Sequence, residues 1–120
     1  MIRRDWFKRH VEIMAQALGA VLGLKSKGDI QAAAAAIEAA IPKAFGMGGK
    51  LALGLPIEEF ITLACRGEEP SAEFLSASAK LFREWAGLLE TPGRATEAAA
   101  ALARAQALLQ LAESRDGRAV

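Results

Sequence analysis

The sequence predicts an all-α fold, a small bundle of about five to six helices arranged as antiparallel helical hairpins. Three observations predict it. Apolar residues recur at helical spacing along most of the chain, and no run alternates convincingly at period two. The hydrophobic fraction is 52%, much of it from Ala, the strongest helix former, while Val is scarce and Tyr absent. Finally, two stretches echo each other. Aligned on Gly28 and Gly93, each has Leu four residues earlier (Leu24, Leu89) and Ala five later (Ala33, Ala98). Each then has an aliphatic residue nine later (Ile37, Leu102) and Ala twelve later (Ala40, Ala105). Both read as the second half of a helix-turn-helix unit.

The first helix is expected over residues 3–24. Phe7, Val11, Met14, Leu18 and Val21 keep the 3.6-residue period, and Trp6, Ile13, Ala17, Ala20 and Leu24 widen that face. Lys25 and Lys27 complement its negative end, and Gly28 can take the left-handed conformation that stops it. Asp29 then caps a second helix that runs towards Phe45, with Ile37, Ala40, Ile41 and Ala44 as its core face. The run of Ala from 32 to 36 keeps it thin, so a neighbouring helix can approach closely. Pro42 kinks or ends it. The segment 46–50 is expected to be the most flexible, and an apolar segment, 51–55, follows. Pro56 begins a short helix carrying Ile57, Phe60, Ile61 and Ala64 that ends at Gly67. After a turn at 68–70, Ser71 caps a helix carrying Phe74, Leu75, Ala79, Phe82, Trp85, Ala86 and Leu89. The last helix spans about 95–113, with Ala98, Leu102, Ala105, Leu109 and Ala112 on one face. The chain thus reads as one domain: a helix pair over 1–45, a Gly-rich loop with short helices over 46–70, a second pair over 71–113, and a flexible tail over 114–120.

The two pairs resemble tetratricopeptide repeats over residues 17–40 and 82–105. The second match is the stronger, through Trp85, Ala86, Leu89, Gly93, Ala98, Leu102 and Ala105. The 65-residue offset between Gly28 and Gly93 is near twice the usual repeat, and the segment between them fits the pattern badly. The resemblance implies helix pairs that scaffold a binding surface, without a regular array of three or more repeats. The layout is also similar to an uncharacterised family of short bacterial all-helical proteins. Asp5-Trp6, Gly28-Asp29, residues 55–63 and residues 82–105 carry that likeness. It implies no activity.

The net charge is +1, which gives no general case for nucleic acid. One cysteine, Cys65, excludes an intrachain disulfide and fits a reducing, cytoplasmic setting. No apolar run reaches the roughly 20 residues of a membrane span. Arg3-Arg4-Asp5-Trp6-Phe7-Lys8 looks like a twin-arginine export motif, but Arg9, His10 and Glu12 interrupt the apolar region it would need.

Chemistry-bearing residues are few. His10 stands alone, and no other residue offers it metal-ligand spacing, so it reads as a helix-boundary histidine. Cys65 has no base or donor pair near it in sequence and reads as a buried thiol. Glu58-Glu59 and Glu68-Glu69 are adjacent, so neither pair converges on one site. The glycine segment at 46–50 lacks the phosphate-loop pattern and reads as a hinge. No catalytic residue, cofactor or metal is therefore expected, and an enzyme is not. The expected function is protein–protein interaction or self-association, with a homodimer covering surplus apolar surface. Trp6, Phe7, Phe82 and Trp85 are its anchors, in the core or at an interface. The alternative is a membrane-surface or nucleic-acid adaptor using the basic patch Arg3, Arg4, Lys8 and Arg9.

Overall fold

The computed structural model describes the backbone of residues 2–119 and the side chains of residues 6–115. Six helices form in order: α1 (Ile2–Ser26), α2 (Ile30–Phe45), α3 (Gly49–Gly54), α4 (Ile57–Ala64), α5 (Ala72–Leu88) and α6 (Ala95–Ala119). The described residues contain no strand. The bundle measures 41 × 26 × 25 Å.

The turns follow local chemistry. Gly28 and Gly93 both take positive φ, at 77° and 91°, and each lies two residues before the helix it introduces. Asp29 caps α2 by accepting from the Ala32 amide at 3.1 Å, and Ser71 caps α5 by accepting from Phe74 at 3.1 Å. The echo is weaker on the other side of the turn. Helix α1 stops two residues before its Gly, whereas α5 stops five before.

Several boundaries differ from expectation. Helix α2 reaches Phe45 as expected but runs through Pro42 without ending there, and Gly46 (φ 71°) ends it while donating to the Pro42 carbonyl at 2.9 Å. Proline costs one hydrogen bond, but here only one further turn has to be held. The expected loop and apolar segment hold a helix, α3, whose Ala52 is fully buried. Pro56 sits just before α4 as its N-cap rather than inside it. Helix α6 runs to Ala119, six residues past its expected end at Glu113. Ala112 is buried and Arg115 reaches Glu69 at 3.2 Å, so tertiary contacts extend past the last strongly apolar position. Residues 114–119 are therefore helical where a tail was expected.

Helix α5 is central and packs on α1, α2 and α6. It carries a run of buried residues from Phe74 to Leu88, because apolar positions surround most of its circumference. Helices α1 and α2 form one antiparallel pair, and α5 and α6 the other. The short helices α3 and α4 each touch both α2 and α6, filling the gap between the second members of the pairs. All seven aromatic residues join in one chain of ring contacts. It runs from Trp6 and Phe7 through Phe74 and Phe45 to Phe60, Phe82 and Trp85, with neighbouring centroids 4.9–6.1 Å apart.

Ion pairs tie the helices together at the surface. Lys25, after the last apolar turn of α1, meets Glu84 of α5 at 2.5 Å. Arg94 reaches Glu38 of α2 at 3.0 Å and Glu97 at 3.1 Å. Exposed pairs of this kind contribute about 0–1 kcal/mol each, so they set register more than stability.

Candidate functional site

The expected anchors divide. Phe7, Phe82 and Trp85 are core residues, 5%, 0% and 2% exposed. Trp6 is half-buried and belongs to a surface cluster at the α1 N-terminal end. Its ring lies 4.0 Å from the His10 imidazole, and the Arg66 guanidinium sits 5.9 Å over it. Arg66 holds φ 53°, the single non-glycine residue with positive φ among the described residues, a conformation that costs about 1–2 kcal/mol. Lys8 and Arg9 are exposed beside this cluster. The side chains of Arg3 and Arg4 lie outside the described residues. Arg66, 57 residues after Arg9, is an addition that spacing along the chain could not supply.

His10 donates from Nδ1 to the Ala44 carbonyl at 2.8 Å. That carbonyl is in the last turn of α2, where backbone acceptors lack helical partners. Burial pushes the His10 pKa below the ordinary imidazole value. The Ala44 bond opposes this, while Arg66 and Arg9 reinforce it. His10 is thus a tether between α1 and α2. Among the described residues no group of three or more His, Cys, Asp or Glu side chains could hold a metal ion.

Cys65 is 1% exposed, and burial pushes its thiol up to about 12, against a smaller lowering by Arg115. At neutral pH the thiolate is negligible, so Cys65 is not poised as a nucleophile. Glu58 and Glu59 are both exposed on the first turn of α4, with no convergent geometry.

Arg104 is the residue that sequence reasoning missed. It is 8% exposed, donates to the Leu55 carbonyl at the end of α3, and lies 5.1 Å over the Phe60 ring. Its Nε has no partner, and burial lowers its pKa. A guanidinium against the C-terminal carbonyl of one helix and an aromatic face of the next pins the α3–α4 corner to α6. The available signal was that Arg104 is the single charged residue between positions 98 and 112.

That spacing leaves an unusual surface. Because Arg104 turns inward, the exposed side of α6 carries no charge over four turns. Leu102 and Leu109 stand on it, each 43% exposed, with Gln106 between them. Five of the seven exposed large apolar side chains among the described residues, Leu51, Leu63, Leu102, Leu109 and Leu111, belong to α3, α4 and α6. No helix of the described residues is long and apolar enough to cross a membrane.

Comparison with family models, with curated proteins and with solved structures finds no match to this chain.

Proposed function

We propose that this protein is a non-catalytic protein–protein interaction module whose contact surface is the uncharged outer side of α6. The observation that carries the reading is that Leu102 and Leu109 stand exposed on a side of α6 that carries no charge over four turns. Clustered apolar surface on a small domain marks an interaction site more often than scattered single residues do. The stacking of α5 on both α1 and α2 supports the repeat-like part of the reading, in which helix pairs build a scaffold. The chemistry-bearing residues support it from the other side, since His10, Cys65 and Arg104 are each engaged in packing or tethering.

A photo-reactive phenylalanine at Ala103 on α6 tests this in the native cell, with Lys80 on α5 as control. The expected result is a defined covalent adduct from position 103 and none from position 80. Absence of any adduct at 103, with the protein folded and abundant, overturns the proposal.

A second reading is favoured by Arg66, which adds a cation to Lys8, Arg9 and the half-buried Trp6. In this reading the α1 end rests on an anionic membrane surface or nucleic acid. Co-sedimentation with vesicles rich in anionic lipid, and retention on DNA, test it. Binding that falls steeply with salt and is lost on changing Lys8, Arg9 and Arg66 to Gln supports it. No binding at low salt dismisses it.

A further inference from the structure

The internal echo of the chain says what kind of element covers the outer side of α6. Shifting by the 65 residues between Gly28 and Gly93 places α2 on α6. Under that shift Ile37 maps to Leu102, Ile41 to Gln106, Ala44 to Leu109 and Phe45 to Gln110. The four α2 residues are at most 2% exposed, and their four α6 counterparts are all exposed. The difference is the following unit. Phe45 on α2 packs against Phe74 and Phe82 of α5 and Phe60 of α4, at 6.1, 5.4 and 5.2 Å. No described residue covers the same side of α6. The positions turned towards their own hairpin partner behave alike in both helices, since Ala33 and Ala98, and Ala40 and Ala105, are all buried.

We propose that a second copy of this chain covers this side, with α6 packed antiparallel on α6 about an axis near Gln106. The proposal rests on the interaction-module reading and names its partner. Its first support is the internal precedent, in which a helix closes the equivalent side of α2. Its second is self-complementarity. Leu102 and Leu109 lie four residues before and three after Gln106, so an antiparallel pair sets each Leu102 against Leu109 of the other copy. Gln106 then meets its own equivalent, and a polar residue at the centre of a seam fixes register. The third support is charge. Glu113 continues the Leu102–Gln106–Leu109 spacing and is exposed. In the antiparallel register it falls at the level of the other copy's Ala99, within the uncharged stretch. A parallel pair would set Glu113 against Glu113. A helix face of four turns buries on the order of 1,000 Å² in total, the lower end for a specific interface.

The experiment combines solution mass with cross-linking. Light scattering after size exclusion, from low micromolar to half-millimolar protein, is expected to show a monomer–dimer equilibrium. Leu102→Gln with Leu109→Gln is expected to weaken it at least tenfold while the circular dichroism spectrum stays helical. Gln106→Cys is expected to give a covalent dimer with a short bis-maleimide, because buried Cys65 does not compete. Ala99→Cys is expected to give none, since its mate would lie about 21 Å away in the antiparallel pair. Cross-linking at both positions overturns the antiparallel arrangement. Cross-linking at neither, with a dimer present, overturns the choice of surface. A monomer throughout overturns self-association, and a residue-103 adduct to a different protein would then leave the interaction-module reading standing.

Discussion

Gly49 opens α3 directly against the core, and replacing it with Ala should destabilise the fold. An ideal Cβ at Gly49 would sit 2.8 Å from Cη2 of Trp85 and 3.3 Å from its Cζ2. Ordinary carbon contacts begin near 3.4 Å, so the ring or the α3 backbone must move by more than half an ångström. The contacting atoms belong to a stiff ring, 2% exposed and already packed against Phe82 at 6.1 Å, and not to the end of a flexible chain. Overpacking of this kind costs about 1–3 kcal/mol. The opposing gain in helix propensity is at most about 1 kcal/mol and is reduced at the first residue of a helix. The expected net loss is about 1–2 kcal/mol, a fall in Tm of roughly 4–8 °C for a domain of this size. Gly54→Ala is the matched control, because it closes the same helix and its Cβ would meet nothing within 4 Å. Urea denaturation followed by circular dichroism should place Gly49→Ala below wild type and Gly54→Ala at or above it. Trp85→Phe should cost stability alone yet recover part of the Gly49→Ala loss in the double variant. If Gly49→Ala is as stable as Gly54→Ala, α3 is not seated on Trp85 and the account of the α3–α4 insert fails.

Other outcomes follow from the same contacts. Gly19→Ala and Gly23→Ala, both inside α1 with nothing within 4 Å of the added Cβ, should each raise stability by about 0.4–1 kcal/mol in thermal melts. Arg104→Ala should cost about 2–4 kcal/mol, because it leaves the Leu55 carbonyl unpaired and a space over Phe60, whereas Arg104→Met, which fills that space but still leaves the carbonyl unpaired, should cost less, about 1–2 kcal/mol. Equal losses from the two would show that the charge of Arg104, not its volume, holds the corner. His10 has its folded pKa below the ordinary imidazole value, so the unfolded chain takes up the proton first. Its contribution is complete above about pH 6.5 and is lost as the pH falls through that value, and His10→Gln should flatten stability measured between about pH 7.5 and 5.5. Cys65 should react with a thiol reagent at pH 8 only at the rate of unfolding. Fast labelling of the native protein would contradict its burial and its pKa of about 12.

Much of the fold was legible because its signals are local. Asp29, Ser71, Gly28 and Gly93 act through their own side chains or backbone torsions, and the turns they mark occur where their chemistry places them. The apolar period of α1, α2, α5 and α6 is likewise written in consecutive residues, and with it the all-α class. More than one short helix was expected within 46–70, but the place of α3 was not legible, because Gly49 and Gly54 argue against a helix on propensity and the docking of Ala52 and the fit of Gly49 on Trp85 hold it there. Past Glu113, Arg115 of α6 meets Glu69, a partner 46 residues away that no local pattern could point to.

The candidate surface divides in the same way. The sequence alone determined that α6 would be rich in Ala and Leu and nearly free of charge, since that is composition and period. It could not say which of those leucines would remain uncovered. Leu102 and Ile37 occupy equivalent places in the echo, yet one is half-exposed and the other fully buried. Burial is a property of what packs against a residue, and only the tertiary structure placed α4 and α5 over α2 and left the matching side of α6 open.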